Sequence, residues 1–245
     1  MPTRILFIRH GETAWNRIKR IQGHIDIPLA ESGHAQAERL AARLARKVHA
    51  EPSAGRARLA QGAQEGLGTH QGAPLDAIYS SDLQRARQTA QPTASALGLP
   101  LQLRAGLRER AYGIFQGHDK GEIEQRFPEA YAVWQTRDPG FAPEGGESPL
   151  AVRERVLNTV ASIVADHPGG RIACVTHGGV LDCIYRHAHG LPFDAPRDFS
   201  LLNASINTVE FDERGRASVV AWADIVHLEE NSDDDGFEPR SRSSR

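Results

Sequence analysis

A mostly parallel β-sheet covered on both faces by helices is the fold class that this 245-residue sequence predicts. Two observations carry the prediction. Short apolar β runs alternate with stretches of helical spacing, the pattern of βα units. Several of those runs stop abruptly at a polar or glycine-containing turn, as strands that feed a loop and then a helix do. The length suits one α/β domain, here taken as residues 1–228, and 40% apolar with 24% charged residues is ordinary for a globule with a sizeable core. A net charge of −2 provides no general attraction to nucleic acid or membrane, so any anion site must be local.

The first strand is expected over Arg4 to Ile8, and it delivers Arg9, His10 and Gly11 into a loop. Ile25 to Leu29 then leads to a helix from about Ser32, with Ala37, Leu40, Ala41, Leu44 and Val48 on its buried face. Residues 50–74, rich in glycine and alanine without a clear period, read as a surface insertion. A second strand is expected over Leu75 to Tyr79, with Ser80-Ser81-Asp82 as the cap of a helix that carries Arg85 and Arg87 and that Pro92 should kink or end. Leu99 to Leu103 reads as a short strand and Arg104 to Gly117 as irregular; short helices fill Asp119 to Gln135. Ser148-Pro149 is a helix start followed by Val152, Val156, Val160 and Ile163, and Pro168-Gly169-Gly170 is its end. Arg171 to Thr176 is a strand running into His177-Gly178-Gly179 and a further helix to about His189. Two β runs, Ser205 to Phe211 and Ala217 to Ala223, complete the sheet, and residues 229–245 form a polar tail.

Cys174 and Cys183 lack metal-type spacing and are expected as buried, reduced thiols, which favours a cytoplasmic location. The chain enters its first strand within a few residues, leaving no room for a signal sequence, and no apolar run reaches the length of a membrane span. No phosphate-binding glycine loop, dinucleotide fingerprint or metal-ligand spacing occurs, so neither a metal nor a nucleotide cofactor is expected.

Parallel sheets bind ligands beyond the carboxyl ends of their strands. Arg9 and His10 follow one strand, Arg85 lies a turn past the next, and His177 follows another; if these strands are neighbours, the side chains converge on one crevice suited to a phosphoryl group. A neutral imidazole can attack phosphorus, arginines can stabilise the charge on the equatorial oxygens, and a carboxylic acid must protonate the leaving oxygen. Glu109, between two arginines in an irregular stretch, is the candidate acid. Two blander readings stand beside these: Arg-His-Gly as a structural turn, and Glu109 as a surface ion pair with Arg108 or Arg110.

Four segments together resemble the histidine phosphatase superfamily, which includes cofactor-dependent phosphoglycerate mutases: residues Leu6 to Asn16, Ser80 to Ala86, Leu107-Arg108-Glu109 and Val175 to Gly179. The resemblance spans Arg4 to Phe211. It implies a three-layer α/β/α sandwich, His10 as phosphorylated nucleophile, Arg9, Arg85 and His177 as phosphate pocket, and Glu109 as proton donor, with no metal. It also implies that Thr13, Asn16, Gln22, Gly23 and Gly178 line the pocket. Tyr112 and Lys120 partly match the pair that grips phosphoglycerate in mutases. Against a mutase, residues 127–146 hold only an isolated Arg137 where mutases carry an arginine pair, and Gly179 stands where they usually place asparagine. Glu144 to Ser148 resembles the broad phosphatase branch. The expected function is therefore a metal-independent phosphomonoesterase acting on a small-molecule phosphate ester. The alternatives are a 2,3-bisphosphoglycerate-dependent phosphoglycerate mutase and a phosphate-binding regulatory module without turnover. Members of the family are often dimers, so a homodimer is compatible with the resemblance.

Overall fold

The computed structural model describes residues 1–46 and 74–229. Six strands form one sheet in the order β3-β2-β4-β1-β5-β6. β1 (Thr3–Arg9), β2 (Ala77–Ser80), β3 (Leu101–Leu103) and β4 (Arg171–Thr176) run parallel, whereas β5 (Ile206–Phe211) and β6 (Ala217–Asp224) are antiparallel additions on the β1 side. Among the described residues seven α-helices accompany them: α1 (Ala14–Arg17), α2 (Glu31–Ala45), α3 (Gln84–Leu97), α4 (Lys120–Arg126), α5 (Pro128–Gln135), α6 (Pro149–Asp166) and α7 (Gly178–His189).

Alternation along the strands makes the sandwich, because successive side chains point to opposite faces. Ile5 and Phe7 of β1 and Cys174 of β4 pack with Val152, Val156, Val160 and Ile163 of α6 and Val180, Leu181 and Ile184 of α7. Leu6, Ile8, Ala173 and Val175 face the other way, onto Leu40 of α2 and Ala86, Ala90 and Ala94 of α3. The result is the expected α/β/α arrangement with a mostly parallel sheet. Both cysteines are free and buried, also as expected.

The register brings three strand ends together. Arg9 pairs with Thr176 and Ser80 with Val175, so β1, β4 and β2 finish side by side and release His10, His177 and the approach to α3 at one edge. Two glycines then let the first loop fold tightly: a Cβ on Gly11 would stand 2.6 Å from the Gly33 carbonyl oxygen, and one on Gly33 2.1 Å from that of Glu12.

Some local expectations are corrected. α3 runs through Pro92 to Leu97 instead of ending early. An interior proline costs about 3 kcal/mol locally, but Ala86, Ala90, Thr93 and Ala94 are buried on both sides of it, and that packing holds the helix together. Nor do Ser80, Ser81 or Asp82 cap this helix. Leu83 is the N-cap residue without a side-chain cap bond, and Asp26 from the first loop accepts instead from the Gln84 N–H at 2.6 Å. β2 and β3 also start two residues later than expected. Val48, nearly all of 50–74 and the tail beyond Glu229 lie outside the described residues. Among the described residues no helix is long and apolar enough to cross a membrane.

Candidate active site

His10 leaves β1 with its backbone held on three sides. Its N–H donates to the Thr176 carbonyl at 2.9 Å, its own carbonyl accepts from Asn203 Nδ2 at 3.0 Å, and Thr89 Oγ1 accepts from the neighbouring Gly11 N–H at 2.9 Å. The ring is 3% exposed, and its Nδ1 lies 2.7 Å from the Gly11 carbonyl oxygen. A carbonyl can only accept, so Nδ1 carries the proton and Nε2 keeps its lone pair. Burial, then the charges of Arg85 and Arg9, hold the His10 pKa well below its ordinary range. The imidazole is therefore neutral near pH 7.

His177 lies beside it, with ring centroids 5.1 Å apart, at the N-cap of α7. It is fully buried, both ring nitrogens lack a hydrogen-bond partner among the described residues, and burial first, then Arg85, keeps it neutral too. Arg85, equally buried, donates Nη2 to the Gly23 carbonyl at 2.7 Å and Nη1 to that of Ile25 at 3.1 Å. Burial lowers its pKa to about 10, against the opposing charge of Glu109, and its Nε has no partner among the described residues. Arg9 is anchored through Nη1 on the Leu201 carbonyl, and its Nε is likewise buried and unpartnered. Buried donors left unpaired cost about 1–3 kcal/mol each. Two cationic Nε–H groups and a neutral histidine without partners beside His10 are suited to the several oxygens of a phosphoryl group.

Glu109 follows the 3₁₀ turn Ala105–Leu107. Its Oε1 accepts from the backbone N–H of Arg110 at 2.8 Å and of Gly179 at 3.0 Å. The surface ion-pair reading does not hold: Arg108 is taken by Asp82 in a two-point pair at 2.7 and 2.5 Å, and Arg110 donates its side chain to the carbonyls of Glu147 and Phe141. A Cβ on Gly179 would meet Glu109 Oε1 at 2.2 Å, so a larger residue there would displace this carboxylate.

The other expected residues divide. Arg9, Glu109, Tyr112 and Gly178 line a cleft of about 700 Å³. Gln22 and Gly23 are buried next to Arg85, the former with an unpartnered Oε1 and the latter through its carbonyl. Thr13 and Asn16 are spent on each other in a capping box that starts α1, and Asn203 Nδ2 also reaches Asn16 Oδ1 at 3.4 Å. Lys120 stands exposed at the start of α4, with no hydrogen bond or ion pair to the other expected residues. The reason is the Asp119–Glu122 capping box, which starts α4 at Lys120 and leaves its side chain in solvent.

Sequence reasoning missed several residues. Asn203 holds His10 from a segment 193 residues away, and its only signal was a polar side chain just before an apolar β run. Arg155 donates three hydrogen bonds to carbonyls of the segment bearing Glu109 and two to the Glu147 carboxylate, yet on the sequence it is one more charge on an amphipathic helix. Arg197, Asp182 and Phe199 line the cleft from stretches without a motif.

Comparison with known proteins agrees with this geometry. The model of the histidine phosphatase superfamily (branch 1) matches residues 5–70 and 54–225. Over 228 residues the chain is 34% identical to phosphoglycerate mutase-like protein 4 of Arabidopsis thaliana, covering 92% of this chain and 87% of that one. It is likewise 34% identical to a metal-independent phosphoserine phosphatase of the same plant, covering 92% and 83%. The solved mycobacterial glucosyl-3-phosphoglycerate phosphatase in complex with VO3 superposes with a TM-score of 0.70 at 28% identity, over 89% of this chain and 98% of that one. The chain belongs to branch 1 of the histidine phosphatase superfamily, whose members are phosphatases or mutases.

Proposed function

We infer that the protein is a phosphomonoesterase that hydrolyses small phosphorylated metabolites through a phosphohistidine at His10, without a metal ion. The observation that carries this reading is the neutral His10, its Nε2 lone pair free, set among buried and unpartnered donors of Arg9, Arg85 and His177. In the first step Nε2 bonds to phosphorus, the P–O ester bond breaks, and the leaving alkoxide takes a proton from Glu109. In the second, Glu109 accepts a proton from water as its oxygen attacks phosphorus, and the P–N bond breaks to release inorganic phosphate and His10. Arg9 and Arg85 supply the positive charge that the spreading equatorial charge requires, and each such donor is worth about 3 kcal/mol in a transition state. The similarity to a phosphoserine phosphatase described as metal-independent supports the same reading.

A second reading, a 2,3-bisphosphoglycerate-dependent phosphoglycerate mutase, is favoured by Tyr112 on the cleft wall and by the mutase-like relative. The exposed position of Lys120 weighs against it. One assay separates the two. The enzyme is incubated with 3-phosphoglycerate, with and without 2,3-bisphosphoglycerate, and phosphate release and isomer formation are followed together. Release that survives chelator and is lost in His10→Ala is the expected result; cofactor-stimulated isomerisation without release would establish the mutase instead.

A further inference from the structure

Beyond the phosphate pocket the cleft continues into a recess of about 330 Å³ bounded by Arg137, Arg186, Arg197, Asp182 and Phe193. Three guanidinium groups face one carboxylate there, and that carboxylate is already neutralised: Asp182 Oδ2 accepts from Arg186 Nε at 2.8 Å, one helical turn along α7. Arg186 is in turn buried and donates to the Pro192 carbonyl at 2.6 Å, so this pair is wall rather than ligand. The other two arginines are different. Arg197 has neither a carboxylate nor a hydrogen-bond partner among the described residues. Arg137 has a single long contact, 3.3 Å from Nη1 to the Ala195 carbonyl, which joins the end of α5 to the loop bearing Arg197. Asp138, which also lines the cleft, is exposed and accepts from the Gly140 N–H at 2.8 Å; Asp194 and Asp198 flank Arg197 in the chain, and among the described residues neither forms an ion pair with it.

Arg137 also occupies a backbone slot that does not suit it. It directly follows Thr136, the C-cap of α5, with φ of +60°, the left-handed position that glycine normally takes after a helix. A non-glycine residue kept in a strained backbone position on a cleft wall points to a use for its side chain. Arg197 lines the same cleft as Arg9 and Tyr112, so a phosphate ester held at His10 can extend to it.

We propose that Arg137 and Arg197 form a second anion subsite, and that the preferred substrates are phosphomonoesters carrying a further carboxylate or phosphate group. The proposal rests on the hydrolase reading and narrows it to a substrate class. The recess provides fork-shaped donors for a two-point contact with such a group, while the Phe193 ring closes one side.

Matched substrates test it. 3-Phosphoglycerate and glycerol 3-phosphate differ by a carboxylate against a hydroxymethyl group, and fructose 1,6-bisphosphate and fructose 6-phosphate by one phosphate. In each pair the ratio of kcat/KM is measured for the wild type, Arg197→Ala and Arg137→Gly, with p-nitrophenyl phosphate as the reference ester. The wild type is expected to prefer the more anionic member of at least one pair, and each substitution to lower that preference about tenfold, the worth of one charge-assisted hydrogen bond. A preference confined to the first pair assigns the subsite to carboxylates, and one confined to the second assigns it to phosphates. Arg137→Gly is also expected to keep or raise Tm, since glycine relieves the left-handed backbone. Equal kcat/KM within both pairs in the wild type, or a preference that survives both substitutions, would overturn the proposal. Absence of turnover on every ester, p-nitrophenyl phosphate included, would overturn the hydrolase reading. The subsite is then read by calorimetry of 3-phosphoglycerate binding to wild type and Arg197→Ala, where equal affinity refutes it.

Discussion

The Glu109 carboxylate rests on the Gly179 N–H at the start of α7, where a Cβ would displace it, so changes at the two positions should act in the same direction. Proton donation matters only when the departing alkoxide is a poor leaving group, where a positioned acid contributes about 10²- to 10⁴-fold. Glu109→Gln is expected to slow an alkyl phosphate by that range while an activated aryl phosphate loses far less. Gly179→Ala, whose Cβ would press on Oε1, should show the same selectivity more mildly. Steady-state rates on the two ester types check this, and equal slowing would remove Glu109 from the acid role. At this scale much was legible in the sequence. His10, Arg9 and His177 follow apolar runs directly, so their placement at strand ends needed only the run and its stop. Asn203 was not legible, because it acts on a backbone carbonyl whose position depends on the pairing of β5 with β1.

Among elements, α6 has a role that its helical spacing did not announce. Its apolar face packs on the sheet, while Arg155 reaches the segment that carries Glu109: Nε and Nη2 bind the Glu147 carboxylate at 2.9 and 2.8 Å, and Nη1 and Nη2 bind the carbonyls of Gly106, Arg108 and Glu109 at 2.9 to 3.2 Å. Glu147 then accepts from the Ala111 N–H at 2.9 Å. Arg155→Met would leave these acceptors partly buried and unpaired, at a cost of about 2 kcal/mol. It should lower the denaturation midpoint and also copy the leaving-group selectivity of Glu109→Gln. Arg155→Lys, with three donors on a point charge instead of five in a fork, should restore little of either. Lost stability with uniform slowing on both esters would make Arg155 a scaffold residue only. Element boundaries were harder to read than element identities for the same reason: Asp26 starts α3 and the flanking layers carry it through Pro92, and both effects come from distant segments.

For the whole molecule, neutral buried histidines set how stability responds to acid. Burial is the largest cause that lowers the pKa of His10 and His177 well below 6.5, and it lowers that of half-buried His227 to about 4. The unfolded chain takes up these protons near pH 6.5 while the folded chain does not, so the unfolded state binds more protons and stability falls as pH drops below 6.5. His10 and His177 together can contribute a slope of up to about 3 kcal/mol per pH unit in that window, and His227 adds a smaller share that ends near pH 4. Below that, Asp82 and Asp224, whose pKa values are lowered first of all by Arg108 and Arg43, lose their pairs and destabilise the fold further. Activity should follow a different course, because His10 remains the neutral nucleophile throughout the first window. Denaturant unfolding at pH 7.5, 6 and 5 should show a steep loss of stability, while kcat of the folded, substrate-saturated enzyme shows no acid limb near 6.5. Stability that stays flat from pH 7.5 to 5, or a rate that falls with an apparent pKa near 6.5, would mean that His10 titrates as a solvent-exposed imidazole does.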